Sequence, residues 1–279
     1  MGNRTKATAW RTWLLAVALV VVSAAWAQIA DPRVYTRSYA IGSGPVRLLD
    51  TYLSQEHYSG TGYSFLATSE SRRQRGDTLL RWSTLVEHQA NFSNAHDRTD
   101  DTSVLEGSYR FFWGKLRQWG LWGDRLHLQA GGVVAANLGF IYNTLSGNNP
   151  AQARVGLQLM PTAAADYRFH IRRCRVTLRY ELQLPLAGVM FSPNYGQSYY
   201  EIFSRGDYDH NIVPTTFVSA PDFRQQFSAD VNFSRTYSLR LGYLGDYQQS
   251  DVNHLKSHVY SHRFMVGVVR KFQLIRYRP

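Results

Sequence analysis

Residues Arg175 to Leu186 read RVTLRYELQLPL, and apolar and polar side chains alternate along the whole stretch. Successive side chains of a β-strand point to opposite faces, so this stretch would carry one apolar and one polar face. A helix would scatter the same side chains around its circumference. The apolar face consists of Val176, Leu178, Tyr180, Leu182, Leu184 and Leu186, and the polar face of Arg175, Thr177, Arg179, Glu181 and Gln183.

Nine further strands are predicted along the chain. Long polar linkers and short ones mostly fall on opposite sides of this series, as expected when strands run up and down. Ten strands fit best, and counts of eight or twelve are compatible with the pattern. The nine are Val46–Glu56, Thr61–Glu70, Thr78–Asn91, Ser103–Gly114, Arg125–Ile141, Arg154–Arg168, Asp222–Ser234, Thr236–Gln248 and His258–Phe272.

Composition indicates that the apolar faces meet lipid. The mean hydropathy of the whole chain is −0.33, yet 14% of the residues are aromatic. A soluble sandwich or lipocalin-like barrel would also alternate, but full charges on the polar faces and aromatic residues near strand ends favour a membrane barrel. The sequence therefore predicts an all-β fold, a transmembrane antiparallel up-and-down β-barrel over residues 46–272.

The N-terminus has the features of an export signal. Arg4, Lys6 and Arg11 precede the apolar run 13–24, and Ala25-Trp26-Ala27 is a small-x-small cleavage pattern. We expect a signal peptide over residues 1–27 that is cleaved on export, the alternative being an uncleaved anchor. A periplasmic segment over 28–45 and a C-terminal tail over 273–279 would flank the barrel, and the expected location is the outer membrane.

Several functional classes are disfavoured by composition. The formal net charge of +11 is spread singly along the chain, and export argues against nucleic acid as a partner. Cys174 is the only cysteine, so no internal disulfide and no thiolate metal centre can form. We expect neither a cofactor nor a metal.

The hairpin formed by Asp222–Ser234 and Thr236–Gln248 predicts charge pairs inside the barrel. If Phe233 and Tyr237 both face outward, the tightest symmetric turn centres on Arg235 and fixes the register. On the inner face, the residue pairs brought opposite each other are then Asp230 with Arg240 and Arg224 with Asp246. These lumen charge pairs suit a plugged barrel better than a wide pore, because ten strands enclose little space.

The last strand, His258–Phe272, resembles the C-terminal signal that the outer-membrane assembly machinery reads, although seven residues follow Phe272. Outer-membrane lipids and that machinery are therefore the expected partners. Three runs also resemble an uncharacterised family of Bacteroidota proteins that carries a domain of unknown function. They are FSPNYGQSYYEIF at 191–203, LGYLGD at 241–246 and HVYSHRF at 258–264. The resemblance implies an outer-membrane location and no particular activity.

The longest predicted outer loop, Ala187–Pro221, holds the candidate binding residues. Its aromatic run at 199–203 predicts either a folded loop at the barrel mouth or a strand extension, and the candidate ligand contacts are Tyr199, Tyr200, Glu201, Asp207, Asp209 and His210. A protein or glycan partner is compatible with them. A non-enzymatic structural or partner-binding role is the first hypothesis, because no catalytic constellation is evident.

Three alternatives remain open from the sequence. An omptin-like protease would use acidic residues with a histidine at the rim, and Asp209-His210 and His96-Asp97 are such neighbours. A lipid hydrolase would need a Ser-His pair, but Ser257-His258 and Ser261-His262 are adjacent in a strand and point to opposite faces. A narrow small-solute channel is the third alternative.

Overall fold

A computed structural model describes residues 33–75, 78–123, 125–145, 149–172 and 174–274. The predicted signal peptide lies outside these residues. The strands are β1 (Arg33–Asp50), β2 (Ser54–Arg75), β3 (Thr78–His96), β4 (Ser103–Leu121), β5 (Leu126–Asn143), β6 (Ala151–Ile171), β7 (Cys174–Gln183), β8 (Ala187–Phe191), β9 (Ile212–Thr216), β10 (Phe223–Asn232), β11 (Tyr237–Val252) and β12 (Leu255–Leu274). One helix, α1 (Tyr199–Arg205), lies between β8 and β9.

The strands close into a ring in which every neighbouring pair is antiparallel. The order around the ring is β5, β4, β3, β2, β1, β12, β11, β10, β7 and β6, and β6 pairs with β5 to complete it. The short strand β8 follows β7, and the short strand β9 precedes β10. These two strands pair with each other and prolong the wall toward one end of the barrel. The predicted ten-stranded up-and-down β-barrel is confirmed.

The wall is interrupted at the junction of β7 with β8. Strand β7 ends before Pro185, yet the N–H groups of Leu184 and Leu186 still donate to the carbonyls of Pro161 and Leu159 on β6, at 3.1 and 2.9 Å. Strand β8 then continues along β6, and β9 pairs with β8. The turn that follows β9 stays against β11, because the N–H of Asp251 donates to the carbonyl of Ser219 at 2.8 Å. The prediction of an open loop from Ala187 to Pro221 was therefore wrong at both of its ends, where five-residue strands prolong the barrel.

The alternation read from the sequence gives the faces of the barrel. On β7, Tyr180 is 42% exposed on the outside, whereas Glu181 and Gln183 are buried inside. Apolar and aromatic side chains cover the outer surface, among them Ile41, Phe65, Trp113, Leu138, Leu241 and Phe264. Apolar residues therefore face outward and charged residues face the lumen, which is the arrangement of a membrane barrel.

The first strand begins at Arg33, thirteen residues before the predicted start at Val46. Residues 33–45, which the sequence assigned to a segment outside the barrel, pair with both β2 and β12. Their inward positions include Ser38, Ala40 and Gly42, which are too small to produce a clear polar face. The predicted strand Val46–Glu56 also crosses the turn at 51–53, where β1 ends and β2 begins.

Candidate functional site

Three ion pairs cross the lumen between strands that lie opposite each other in the ring. Arg110 on β4 contacts Asp246 on β11, with 2.6 Å between Nη1 and Oδ1. Arg224 on β10 contacts Glu87 on β3, and Arg179 on β7 lies 3.7 Å from Glu70 on β2. In each case the two strands are five positions apart around a ring of ten, so each pair spans the full width of the barrel.

Gln89 joins two of these crossings. Its Oε1 accepts from Nε of Arg224 at 2.9 Å, and its Nε2 donates to Oδ2 of Asp246 at 2.8 Å. The ring of Phe112 lies beside both arginines, with its centroid 5.1 Å from Cζ of Arg110 and 4.8 Å from Cζ of Arg224. Both guanidinium groups are at most 2% exposed, so protein side chains fill the lumen at this level.

The predicted hairpin has the register derived from the sequence. Asp230 lies opposite Arg240 and Arg224 lies opposite Asp246. The Arg240 guanidinium holds the Asp230 carboxylate with two contacts, Nε to Oδ1 at 2.7 Å and Nη2 to Oδ2 at 2.8 Å. Arg224 and Asp246 point inward from the same rung, but each forms its ion pair across the barrel rather than with the other.

The loop between β8 and β9 folds over one end of the barrel around α1. Ser198 caps the helix, because its hydroxyl accepts from the N–H of Glu201 while its own N–H donates to the Glu201 carboxylate at 2.8 Å. These bonds to Ser198 lower the pKa of Glu201. Gly206 ends the helix in the left-handed conformation, with φ of +76°.

Tyr199 fixes α1 to the barrel. Its hydroxyl donates to Oε1 of Gln152 and accepts from the N–H of Ala153, both at 2.7 Å. Its ring packs edge-on against Tyr52 in the β1–β2 turn, at 5.7 Å between centroids. Burial raises the pKa of the Tyr199 phenol. The expected folded loop at the mouth is therefore found, and the strand extension over 199–203 was wrong because Ser198 and Glu201 form a capping box.

The other predicted contact residues are separated by the fold. Tyr200 is exposed, with the Arg205 guanidinium 5.5 Å from its ring centroid, and the Glu201 carboxylate is engaged at the helix cap. Asp209 and His210 form an exposed pair with each other, and the backbone carbonyl of Asp207 accepts from Gln197. Among these predicted contact residues, the fold thus does not bring the acidic side chains and His210 together into one group.

A family model described as "Protein of unknown function (DUF3316)" matches residues 12–279. The chain belongs to this family. No curated protein matches it.

Solved structures similar to this DUF3316 chain include the transport unit of the autotransporter AIDA-I and the outer membrane protease OmpT, both from Escherichia coli. The first has a TM-score of 0.43 at 7% identity and covers 87% of this chain and 90% of its own. The second has a TM-score of 0.40 at 8% identity, and the match covers 88% of this chain and 98% of the protease chain. Neisserial surface protein A has a TM-score of 0.37 at 10% identity, and the match covers 86% of this chain and 97% of the neisserial chain.

The serine–histidine neighbours of the DUF3316 chain do not form catalytic pairs. Ser257 points inward and donates to Asp50 at 3.1 Å, whereas His258 points outward and stacks on Tyr260. Ser261 likewise points inward, and Nδ1 of the outward His262 lies 2.7 Å from the Tyr243 hydroxyl. Within the described part of the chain, no three His, Cys, Asp or Glu side chains are grouped to hold a metal ion.

The cross-barrel partners Glu70, Glu87 and Arg110 were missed by the sequence analysis. All three lie on polar faces of strands that were predicted, so alternation alone already directed them inward. A ring of ten strands brings each strand opposite the fifth along, and applying that rule to inward charges would have found these pairs. No helix among the described residues is long and apolar enough to cross a membrane.

Proposed function

We propose that this protein is a plugged outer-membrane β-barrel with a structural or partner-binding role in the envelope, and that it is neither a channel nor an enzyme. The observation that carries the proposal is the set of ion pairs across the lumen, above all Arg110 with Asp246 and Arg224 with Glu87.

A small-solute channel needs a continuous aqueous path, and this lumen holds an arginine–carboxylate network in its place. Barrels of eight strands are already filled by their own side chains, and ten strands add little width. Opening the path would leave Arg110 and Arg224 without partners in a poorly solvated interior, at a cost of several kcal/mol. A closed ground state is therefore the stable one.

A partner would meet the protein at the loop that contains α1. Exposed aromatic side chains are typical anchors of protein interfaces, and they also stack on sugar rings. The loop carries four large ones, which are Tyr195, Tyr200, Phe203 and Tyr208. Hydrogen bonds from Asn194, Gln197 and Asn211 to neighbouring groups hold this loop in shape. A protein or a glycan would thus meet a rigid aromatic surface.

The proposal includes export by a cleaved signal peptide and a Bacteroidota cell as the source. The mature chain would begin at Gln28, and fractionation followed by N-terminal sequencing tests this directly. Recovery from the soluble periplasm would contradict the membrane location.

Conductance in planar lipid bilayers tests the plug. We expect no ordered current steps from the purified protein in concentrated KCl. The double variant Arg110→Ala with Arg224→Ala shortens two of the crossing side chains and should produce steps. The control Arg37→Ala removes a cation from the outer face of the wall and should stay silent. If the unmodified protein gave current steps as large as those of the double variant, this would contradict a plugged barrel.

A further inference from the structure

A cavity of about 790 Å³ lies at the end of the barrel where β1 begins and β12 ends. Four long cationic side chains point into it from four strands: Arg72 on β2, Arg168 on β6, Arg175 on β7 and Lys271 on β12. We call this cavity and these four residues the basic vestibule. Arg125 also lines it and adds a further cation, and His170 lies in the same wall.

The cations of the basic vestibule differ from those at the centre of the lumen. Among the described residues, none of the four has a carboxylate within 4.0 Å, whereas Arg110, Arg179, Arg224 and Arg240 each have at least one. The acidic side chains of the adjacent level are already engaged: Asp166 and Glu70 contact Arg179, and Asp230 contacts Arg240. Four like charges around one cavity repel each other, and an anion between them would relieve that repulsion.

Thr177 provides a second and independent indication of a ligand. It lines the same cavity, it is 8% exposed, and its Oγ1 is a buried polar atom with no hydrogen-bond partner among the described residues. A buried hydroxyl without a partner is costly, which is why such groups in proteins almost always have one. A rotation of the Thr177 side chain toward the cavity would let a bound anion accept this hydroxyl proton.

We propose that the basic vestibule binds a phosphate-bearing anion with at least two negative charges. A phosphate group has oxygens in several directions and accepts paired N–H bonds from arginine, so it suits donors that arrive from four strands. A carboxylate is planar and carries a single charge, and it would satisfy fewer of them. The volume exceeds that of one phosphate ion, so the ligand is a diphosphate or a phosphorylated headgroup.

Calorimetric titration with pyrophosphate tests the proposal on the full-length mature protein in neutral detergent. We expect saturable binding that weakens as salt is added. Replacing Arg168 and Lys271 together by Met keeps their apolar stems and should weaken binding at least about tenfold, since two charged donors are lost. Thr177→Val keeps the shape of the side chain, loses only the hydroxyl, and should weaken binding by about tenfold or less.

The control is Arg37→Met, which removes one charge at the same end of the barrel but on the outer face, where Arg37 lies over Tyr35 and Phe272. Its affinity should equal that of the unmodified protein. An equal loss in Arg37→Met and in the double variant would overturn the site, because it would indicate general electrostatic attraction. The absence of saturable pyrophosphate binding would overturn it as well.

Nanodiscs distinguish the two sources of the phosphate. If the natural ligand is a lipid headgroup, discs containing cardiolipin, whose headgroup carries two phosphates and two negative charges, should compete with pyrophosphate, and phosphatidylcholine discs should not. If it is a soluble phosphate ester, both kinds of disc should give the same affinity. Either result is compatible with the basic vestibule as a phosphate site, and both are independent of whether the lumen conducts.

Discussion

Arg110 and Asp246 meet inside the barrel with 2.6 Å between Nη1 and Oδ1, although their strands lie on opposite sides of the ring. Each side chain is 2% exposed, so neither charge is solvated by bulk water. A buried ion pair of this kind has a small net effect on stability when intact and a large one when one partner is removed. The lumen network is therefore a point where single substitutions should have large effects.

Asp246→Asn should destabilise the barrel by about 3–5 kcal/mol, because Arg110 would keep its buried charge and lose its closest carboxylate. Urea unfolding in detergent micelles measures the change. The matched control is Asp251→Asn on the same strand, where the carboxylate is exposed and lies 4.0 Å from Lys256. That control should change stability by less than about 1 kcal/mol. Similar losses in the two variants would argue against a desolvated lumen.

The Asp230–Arg240 pair offers a charge-swap test within one hairpin. Asp230→Arg should destabilise, because it places two cations opposite each other on β10 and β11. Adding Arg240→Asp should restore part of the loss. Thermal unfolding of the single and double variants gives the interaction free energy between the two residues. A double variant no more stable than Asp230→Arg would contradict a direct interaction.

Much of this hairpin could be predicted from the sequence, and the reasons are local. Alternation fixes which side chains point inward, and the short turn around Arg235 fixes the register, so both rest on residues close in the chain. The partner of Arg224 could not be found this way. Its neighbour on the rung is Asp246, but Glu87 reaches it from β3, and only the closed ring brings those two strands together.

The β8–α1–β9 segment was misjudged for a different reason. Its strands have five residues each, which is too short for alternation to stand out from a polar loop. The capping signal Ser198-x-x-Glu201 was present and would have predicted the helix. The basic vestibule was also missed, because its four cations come from strand ends that are distant in the chain.

Gly62→Ala should destabilise the barrel by about 1–3 kcal/mol. A Cβ atom at this inward position would collide with the guanidinium of Arg263, which donates to Ser93 Oγ at 3.1 Å. Gly132→Ala is the control, since its nearest neighbour would be the Met160 carbonyl oxygen at 3.9 Å. Heat-dependent migration on gels reports barrel stability, and equal midpoints for the two variants would be inconsistent with this account.

Leu241→Arg should cost about 2–4 kcal/mol in a lipid bilayer, because Leu241 lies on the outer face of β11, opposite Val266 near the middle of β12. Leu145→Arg makes the same chemical change in the β5–β6 loop, where the side chain is 66% exposed beyond the strands, and should be nearly neutral. Unfolding from lipid vesicles measures both. The opposite ranking would mean that the outer face of the barrel does not meet lipid.

The α1 cap should depend on pH. Ser198 lowers the pKa of Glu201 in the folded loop, so the cap is intact above the ordinary pKa of a glutamate and is lost as pH falls through the lowered value. Hydrogen exchange of residues 194–211 should therefore speed up in acid, beyond the intrinsic effect of pH on exchange. In Glu201→Gln the acceleration should be absent, and an unchanged acid response in that variant would assign it to another group.

The cross-barrel pairs also constrain the circumference of the barrel. Arg110 and Arg224 find their closest carboxylates, Asp246 and Glu87, because the fifth strand along is the opposite strand. Deleting one hairpin would leave a ring of eight, in which the opposite strand is the fourth along, and these arginines would face side chains of other strands. The chain therefore specifies its strand number through the placement of a few inward charges, and a variant that gained or lost a hairpin would have to change them together.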